Sequence, residues 1–258
     1  MENLSFFTYN NWTGTSVRGT EIASYLGAKL NVREGTVIHV KPPNLDNVLD
    51  GEWVDILDAG NLIEMLKARP KVNAIAISEY AYEYMKLPNK TVCLPQQHIN
   101  WEREKRIKNP CYFIAGYIGA PSAKARRHYD NIAKELKKIG VDFIAEFDYK
   151  TRLDAINFYK HIDILVVSKL HRFEPLKTPT KMINAASFGI PSIAIPTEGY
   201  KEWEENYIEF QDFDELYKGI EGIKNNYELL SEKMIAEAEK YHISKIAEKY
   251  KELCLTSQ

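Results

Sequence analysis

Two polar side chains, Lys181 and Asn184, stand one helical turn apart in a segment with helical composition that opens near Thr180. Free backbone N–H groups at the start of a helix attract anions, and a lysine in the first turn could reach a phosphate. An amide one turn further on could hydrogen-bond a sugar hydroxyl. The pair therefore predicts a site that holds a phosphate beside a sugar.

The elements that would position this pair are a loop, a helix, a tight turn and a buried strand. Gly189 stands where a helix C-terminal residue with positive φ would stand, and Pro191 stops any continuation of the helix. The short apolar run at 192–195 has strand character. A plain helix–strand connection of an α/β domain fits the same spacing equally well, so the spacing alone leaves both interpretations open.

The segment that starts at Pro179 reads Pro-x-Lys-x-x-Asn-x-x-x-x-Gly-x-Pro-x-Ile-Ala. It resembles the nucleotide-sugar motif in the C-terminal domain of GT-B-fold glycosyltransferases of the group 1, or family 4, type. The resemblance implies that Pro179, Thr180, Lys181 and Asn184 bind the nucleotide sugar, with Lys181 near the diphosphate and Asn184 facing the ribose. Asn184 takes the place of the second of two glutamates in the best-known version of the motif, and Leu176 takes the place of the first.

An N-terminal loop is the second candidate for contact with a ligand. An apolar run at 4–8 predicts a strand, and the polar loop after it contains Gly14 and Thr15, before a helix at 21–26. This order presents backbone N–H groups to a ligand, although an ordinary connecting loop fits equally well. The position resembles the first loop of the same enzymes, which implies that Gly14 and Thr15 lie near the donor phosphates and the acceptor.

Short apolar runs alternate with helical patterns along the whole chain, which predicts an α/β fold with mainly parallel sheets. A charged stretch at 101–110 separates two such series and is typical of a linker. We therefore predict two Rossmann-like domains with a GT-B-like interdomain cleft, an acceptor-side domain at 1–100 and a nucleotide-sugar-binding domain at 101–242. The resemblance implies that a C-terminal helix at 243–258 crosses back to the first domain.

Two further loops of the second half follow predicted strands. One begins at Gly116, and the other is basic and begins at Lys169. Ligands bind at the carboxyl ends of parallel strands, so we expect Gly116, Tyr117, Lys169 and Arg172 to contact the nucleotide sugar. Sugar transfer places negative charge on a leaving diphosphate, which these basic side chains could stabilise.

A catalytic base is needed only if the sugar is transferred with inversion, and the two candidates are Glu174 and His98. His98 also fits an ordinary loop histidine, because no carboxylate nearby in the sequence could orient its ring. No Asp-x-Asp pair ends a predicted strand, so we expect no catalytic metal. We also expect no cofactor, since the nucleotide-diphosphate sugar is the donor substrate.

The leading hypothesis is a metal-independent glycosyltransferase of the hexosyltransferase type, which moves a sugar from a nucleotide-diphosphate sugar to a carbohydrate or lipid-linked acceptor. A non-catalytic nucleotide- or sugar-binding module, such as a partner subunit of the same fold, is the alternative from another class. A nucleotide-sugar epimerase is the third.

Composition and the ends of the sequence give weaker expectations about partners and compartment. The net charge of −2 gives no bulk attraction for nucleic acid. The three cysteines, Cys93, Cys111 and Cys254, lack metal-ligand spacing and suggest a reducing compartment. The first residues show no signal-peptide pattern, so we expect a cytoplasmic protein with at most peripheral membrane association.

Overall fold

Two separate β-sheets form the framework of the chain, and every strand pairing within them is parallel. The predicted α/β fold with mainly parallel sheets is therefore confirmed. The computed structural model describes residues 4–9, 13–108, 112–120, 122–168 and 176–255.

The first sheet is built from the first 93 residues, with the strand order β2-β1-β3-β4-β5-β6. Its strands are β1 (Leu4–Thr8), β2 (Lys29–Leu30), β3 (Thr36–Val40), β4 (Trp53–Asp55), β5 (Asn73–Ala76) and β6 (Thr91–Cys93). The central strands β3 and β4 are almost wholly buried, as their near-continuous apolar runs predict. The edge strand β2 is exposed and only two residues long, so it carries no apolar run that would reveal it.

Helical structure after β1 begins at Thr13, nearer to the strand than the sequence predicts. Its elements are α1 (Thr13–Thr15), a π-helical segment (Ser16–Glu21) and α2 (Ile22–Leu26). The expectation of a loop around Gly14 and Thr15 is therefore wrong, since both residues lie in α1. Gly19 explains the close fit of the π-helical segment to β1, because a Cβ atom there would lie 2.5 Å from the Thr8 methyl group. The other helices of this half are α3 (Asn61–Lys67) and α4 (Glu79–Met85).

The second sheet has the strand order β11-β10-β9-β7-β8. Its strands are β7 (Ile114–Ile118), β8 (Asp142–Glu146), β9 (Ile164–Val167), β10 (Ser192–Ala194) and β11 (Ile208–Glu209). Gly116 and Tyr117 lie inside β7, so the prediction that a loop begins at Gly116 is wrong. A Cβ atom at Gly116 would lie 2.5 Å from Ile162 and 2.9 Å from Phe158, which shows that this glycine serves close packing rather than a turn.

Helices cover both faces of the second sheet. They are α5 (Ala123–Lys137), α6 (Arg152–His161), α7 (Thr180–Ser187), α8 (Phe213–Asn225) and α9 (Tyr227–Ala238), with 3-10 helices at Glu198–Asn206 and Glu239–Tyr241. The last helix of the chain is α10 (Ile243–Leu255). Helix α7 ends before Gly189, whose φ of 75° is the predicted left-handed conformation. Within the described ranges, every helix is too short or too polar to cross a bilayer.

The last helical stretch of the chain, at 227–255, is broken at His242. The backbone there is extended, with φ −62° and ψ 145°, and this changes the direction of the chain before α10. The His242 ring holds the break in place, since Nε2 lies 3.1 Å from the Trp101 carbonyl and Nδ1 lies 2.8 Å from the Ser244 hydroxyl. The break at His242 depends on the Trp101 carbonyl of the linker. Hydrophobic periodicity cannot reveal a contact between residues so far apart in the chain.

Helix α10 packs on the first sheet, although it follows the second sheet in the chain. Ile246 and Tyr250 are fully buried in the same apolar cluster as Phe6 of β1. At the centre of this contact, the Tyr250 hydroxyl donates to Asp55 Oδ2 at 3.0 Å. Arg18 Nε donates to the same oxygen at 2.6 Å, and both charged side chains are fully buried.

This buried ion pair yields a stability prediction. Asp55→Ala is expected to cost about 3–5 kcal/mol of unfolding free energy, because the Arg18 guanidinium remains buried without its carboxylate. Arg18→Met combined with Asp55→Val removes both charges and is expected to cost less than Asp55→Ala alone. Urea denaturation followed by tryptophan fluorescence measures both variants. A double variant that is less stable than the single one contradicts the prediction.

Candidate functional site

A crevice is expected between β7 and β9 of the second sheet. The chain leaves β7 to form β8 on one side and then returns to form β9 on the other side. Such a topological switch point leaves a crevice at the carboxyl ends of the two strands, and ligands bind there in open α/β sheets. Tyr117 lies near the end of β7 and Ser168 follows β9, so these two residues mark the two sides of the crevice.

Four side chains interact at this point, and we call Tyr117, His128, Tyr129 and Ser168 the switch-point cluster. The Tyr117 ring stacks on Tyr129 of α5, with ring centroids 3.7 Å apart. The Tyr129 hydroxyl donates to the Ser168 carbonyl at 2.8 Å, and His128 Nε2 lies 2.8 Å from the Ser168 hydroxyl. Burial lowers the pKa of His128 below its usual value, so its ring is neutral near pH 7 and can exchange a hydrogen bond with Ser168.

Lys181 extends from the first turn of α7 toward this cluster. Its Nζ lies 5.9 Å from the centroid of the Tyr117 ring. The residue before the helix, Pro179, supplies no side-chain cap to the N–H groups of the first turn, and the Thr178 and Thr180 hydroxyls bond each other at 2.6 Å. The structure therefore brings two predicted site residues, Lys181 and Tyr117, together beside a helix start with uncapped donors.

Asn184 has a structural partner that the sequence did not indicate. Its Oδ1 accepts the backbone N–H of Ile99 at 3.1 Å, and its side chain also hydrogen-bonds the buried Tyr159 hydroxyl. The same hydroxyl donates to the Lys181 carbonyl at 3.1 Å. Asn184 thus joins α7 to the end of the first half, and its contact with a ribose remains a prediction.

The other predicted site residues are placed as follows. Lys169, Arg172 and Glu174 lie outside the described residues. Gly14 and Thr15 lie in α1 close behind β1, and Thr15 is buried. The first sheet also has a switch point there, between β1 and β3, so both residues stay near the carboxyl edge of that sheet.

His98 is a buried residue of the junction between the two halves. Its side chain is 2% exposed, its backbone N–H donates to the Tyr241 carbonyl, and its Nδ1 accepts the Asn100 N–H at 3.2 Å. Burial, and then the charge of nearby His242, lowers the pKa of His98 to about 3. A neutral, enclosed ring of this kind is poorly suited to accept a proton from a substrate.

Glu21, at the end of the π-helical segment, is a carboxyl group that sequence analysis missed. Burial raises the pKa of Glu21 to about 7, with Arg152 opposing the shift and Glu102 adding to it. Its Oε2 is buried and has no hydrogen-bond partner among the described residues. Val17 of the same segment is buried in one apolar cluster with Met182 and Ile183 of α7, so the π-helical segment packs into the same core as that helix. π-Helical turns frequently occur at functional sites.

Two other kinds of site find little support within the described ranges. No group of three or more histidine, cysteine or acidic side chains there could hold a metal ion. Cys93 and Cys254 form no disulfide within the part of the chain that the structure describes. Burial, with a contribution from Glu79, raises the pKa of Cys93 to about 12, so this thiol is a poor nucleophile at neutral pH.

The sequence matches no family profile and no curated protein, whereas the structure resembles several solved ones. One is TarM, with 16% sequence identity and a TM-score of 0.51 over 87% of this chain and 51% of that one. Another is the Glycosylation Associate Protein (Gap123) complex from Streptococcus agalactiae, with 14% identity and a TM-score of 0.53 over 100% of this chain and 55% of that one.

A third similar structure is an alpha1,3-fucosyltransferase, with 11% identity and a TM-score of 0.51 over 98% of this chain and 90% of that one. The chain spans about half the length of the TarM and Gap123 chains. At these identities the similarity concerns the fold alone, and it confirms a GT-B-like fold.

The environment of His98 predicts part of the acid sensitivity of the fold. Between pH 6.5 and about 3 the unfolded chain protonates this histidine while the folded chain does not. The free energy of unfolding therefore falls as the pH falls through this range, by at most about 1.4 kcal/mol per pH unit from this group. His98→Asn is expected to flatten the dependence between pH 7 and 5. Urea titrations measure the free energy of unfolding at each pH. The same pH dependence in the parent and in His98→Asn would contradict the role given to His98.

Proposed function

We propose that this chain transfers a sugar from a nucleotide-diphosphate sugar to an acceptor, with the nucleotide bound at the switch point of the second sheet. The observation that carries the proposal is the meeting of Lys181, the uncapped start of α7 and the switch-point cluster at one crevice. The GT-B-like fold adds support, because similar structures include a fucosyltransferase.

The chemistry of each group suits a leaving diphosphate. A lysine ammonium is a point charge that stabilises a diphosphate, and the N–H groups of a helix start donate to its oxygens. The Ser168 hydroxyl and the neutral His128 ring add hydrogen bonds without another full charge. Metal independence is part of the proposal, since these groups can stabilise the leaving charge themselves.

Glu21 is the described carboxyl group that we propose as general base. A group with a pKa of about 7 can accept a proton from an acceptor hydroxyl at neutral pH and release it again. Its unpaired oxygen and the packing of its segment into the same core as α7 support this role. Transfer with inversion follows from the assignment, because retention needs no such base.

The nucleotide assignment is tested by Lys181→Met, which keeps an unbranched apolar side chain next to Tyr117 but removes the charge. Charge-assisted hydrogen bonds contribute about 1.5–3 kcal/mol, so binding of UDP, GDP or ADP is expected to weaken about 10- to 100-fold. Isothermal titration calorimetry measures the change. Lys137→Ala, at the far end of α5, is the matched control and should bind like the parent. Equal affinity of Lys181→Met and the parent would rule out the site.

The role of Glu21 is tested by Glu21→Gln in a nucleotide-sugar hydrolysis or transfer assay. Loss of a general base is expected to lower kcat about 10²- to 10⁴-fold and to remove a pH-dependent step near pH 7. Glu102→Gln removes the neighbouring carboxylate on Arg152, which adds to the raised pKa of Glu21, so this variant should keep the step but shift it to lower pH. A Glu21→Gln profile that keeps the step near pH 7 would assign that step to another group.

A non-catalytic partner subunit is the second candidate function. One similar structure belongs to a complex of glycosylation-associated proteins and covers this whole chain. The hydrogen bond between Asn184 and Ile99 also favours the partner subunit. Asn184 stands where the glycosyltransferase motif has a glutamate, and its side-chain oxygen already bonds the chain itself. Incubation with a panel of nucleotide sugars separates the candidates, since an enzyme slowly releases free nucleotide while a binding subunit retains the donor intact. Release of an epimerised sugar would instead indicate an epimerase.

A further inference from the structure

A pocket of about 530 Å³ lies between α3 and α4 of the first half and the residues that precede α7 in the second half. Volumes of this size are typical of small-molecule sites. Its lining includes Glu64 and Lys67 of α3, Tyr84 and Met85 of α4, and Leu176 and Lys177 of the second half. We call these residues, together with Asp58, the interdomain pocket.

The charges in the lining cancel one another. Lys177 Nζ lies 3.0 Å from Asp58 Oδ2, and Lys67 Nζ lies 2.7 Å from Glu64 Oε1. Lys41 approaches the other oxygen of Asp58 at 2.5 Å. Although burial raises it, contacts with Lys41 and Lys177 lower the pKa of Asp58 to about 2, so the carboxylate is ionised at neutral pH. The lining itself therefore contains two carboxylates and two ammonium groups, which offer acceptors and donors, while Lys41 lies outside the lining and adds one positive charge behind Asp58.

The apolar part of the lining provides flat contact surface. The Tyr84 ring is 44% exposed, whereas Met85 beside it is buried at 2% and forms part of the floor. Leu176 closes the pocket from the second half and packs on both apolar clusters of the first half. An aromatic ring beside paired hydrogen-bonding groups suits a pyranose, which has C–H groups on its faces and hydroxyls around its rim.

The pocket is also close to the proposed donor site. Lys177 precedes Thr180, the first residue of α7, by three positions, so their Cα atoms lie at most about 11 Å apart. The pocket therefore lies beside the start of α7, where the proposed donor phosphates bind.

We infer that the interdomain pocket binds a neutral carbohydrate, which is the acceptor if the proposed sugar transfer takes place. A phosphorylated or acidic ligand would find both lysines of the lining already paired with carboxylates. A lipid chain would bury four charged side chains away from water, which is costly. A neutral glycan needs no unpaired cation and keeps hydroxyl groups beside the charged side chains.

The test screens the protein against an array of neutral and acidic oligosaccharides, with calorimetry of lactose and sialyllactose and with dodecanoate as the lipid probe. We expect neutral glycans to bind, and Tyr84→Ala to weaken their binding about threefold to tenfold. Tyr82→Ala is the matched control, because Tyr82 lies on the same helix and is 40% exposed but does not line the pocket. Glu64→Lys makes the lining positive and is expected to shift the preference toward sialyllactose.

Binding of acidic glycans or dodecanoate alone, no binding on the array, or equal losses in the two tyrosine variants would each overturn the inference. Nucleoside-diphosphate affinity separates it from the proposed function. Tyr84→Ala is expected to bind UDP, GDP or ADP like the parent. If the parent binds glycans in a Tyr84-dependent way but binds no nucleotide, the proposed donor site is refuted and the pocket assignment stands. If the parent binds nucleotide but no glycan, only the pocket assignment is refuted.

Discussion

The hydrogen bonds between α7 and residues 99–100, just before the linker, fix the geometry on which the rest of the site depends. Asn184 Oδ1 accepts the Ile99 N–H, and the Asn100 amide donates to the Ser187 carbonyl at 2.8 Å. Asn100 is almost fully buried, so breaking this contact would leave a polar group unsatisfied at a cost of about 1–3 kcal/mol. Because Lys181 lies on the same helix, its distance from the first half is set by these bonds.

The contacts between the halves differ in strength according to their burial. On the exposed side, Lys177 pairs with Asp58, and Glu202 accepts the Tyr80 N–H at 2.9 Å. Exposed pairs of this kind contribute about 1 kcal/mol or less. By contrast, Ile246 and Tyr250 of α10 are buried against the first sheet, and Asn100 is buried against α7. These buried contacts therefore hold the halves together more strongly than the exposed pairs do.

The sequence predicted those features that arise from local interactions. Helix α4 and the turn at Gly189 depend on capping and backbone preferences within a few residues, so their positions were predictable. The environment of Glu21 was not predictable, because the raised pKa depends on Arg152 and Glu102 from distant parts of the chain. The pairing of His128 with Ser168 likewise joins residues 40 positions apart, and neither belongs to a motif.

The two proposed ligand sites differ in the charges that line them. The switch point carries the cation of Lys181 and the donors of a helix start, which favour a diphosphate. The interdomain pocket is lined by charges that cancel, which favours a neutral glycan. A diphosphate therefore gains little in the pocket, and a neutral sugar gains little from Lys181. In the proposed transfer, Glu21 accepts the proton that the acceptor hydroxyl loses, and its pKa of about 7 allows this at neutral pH.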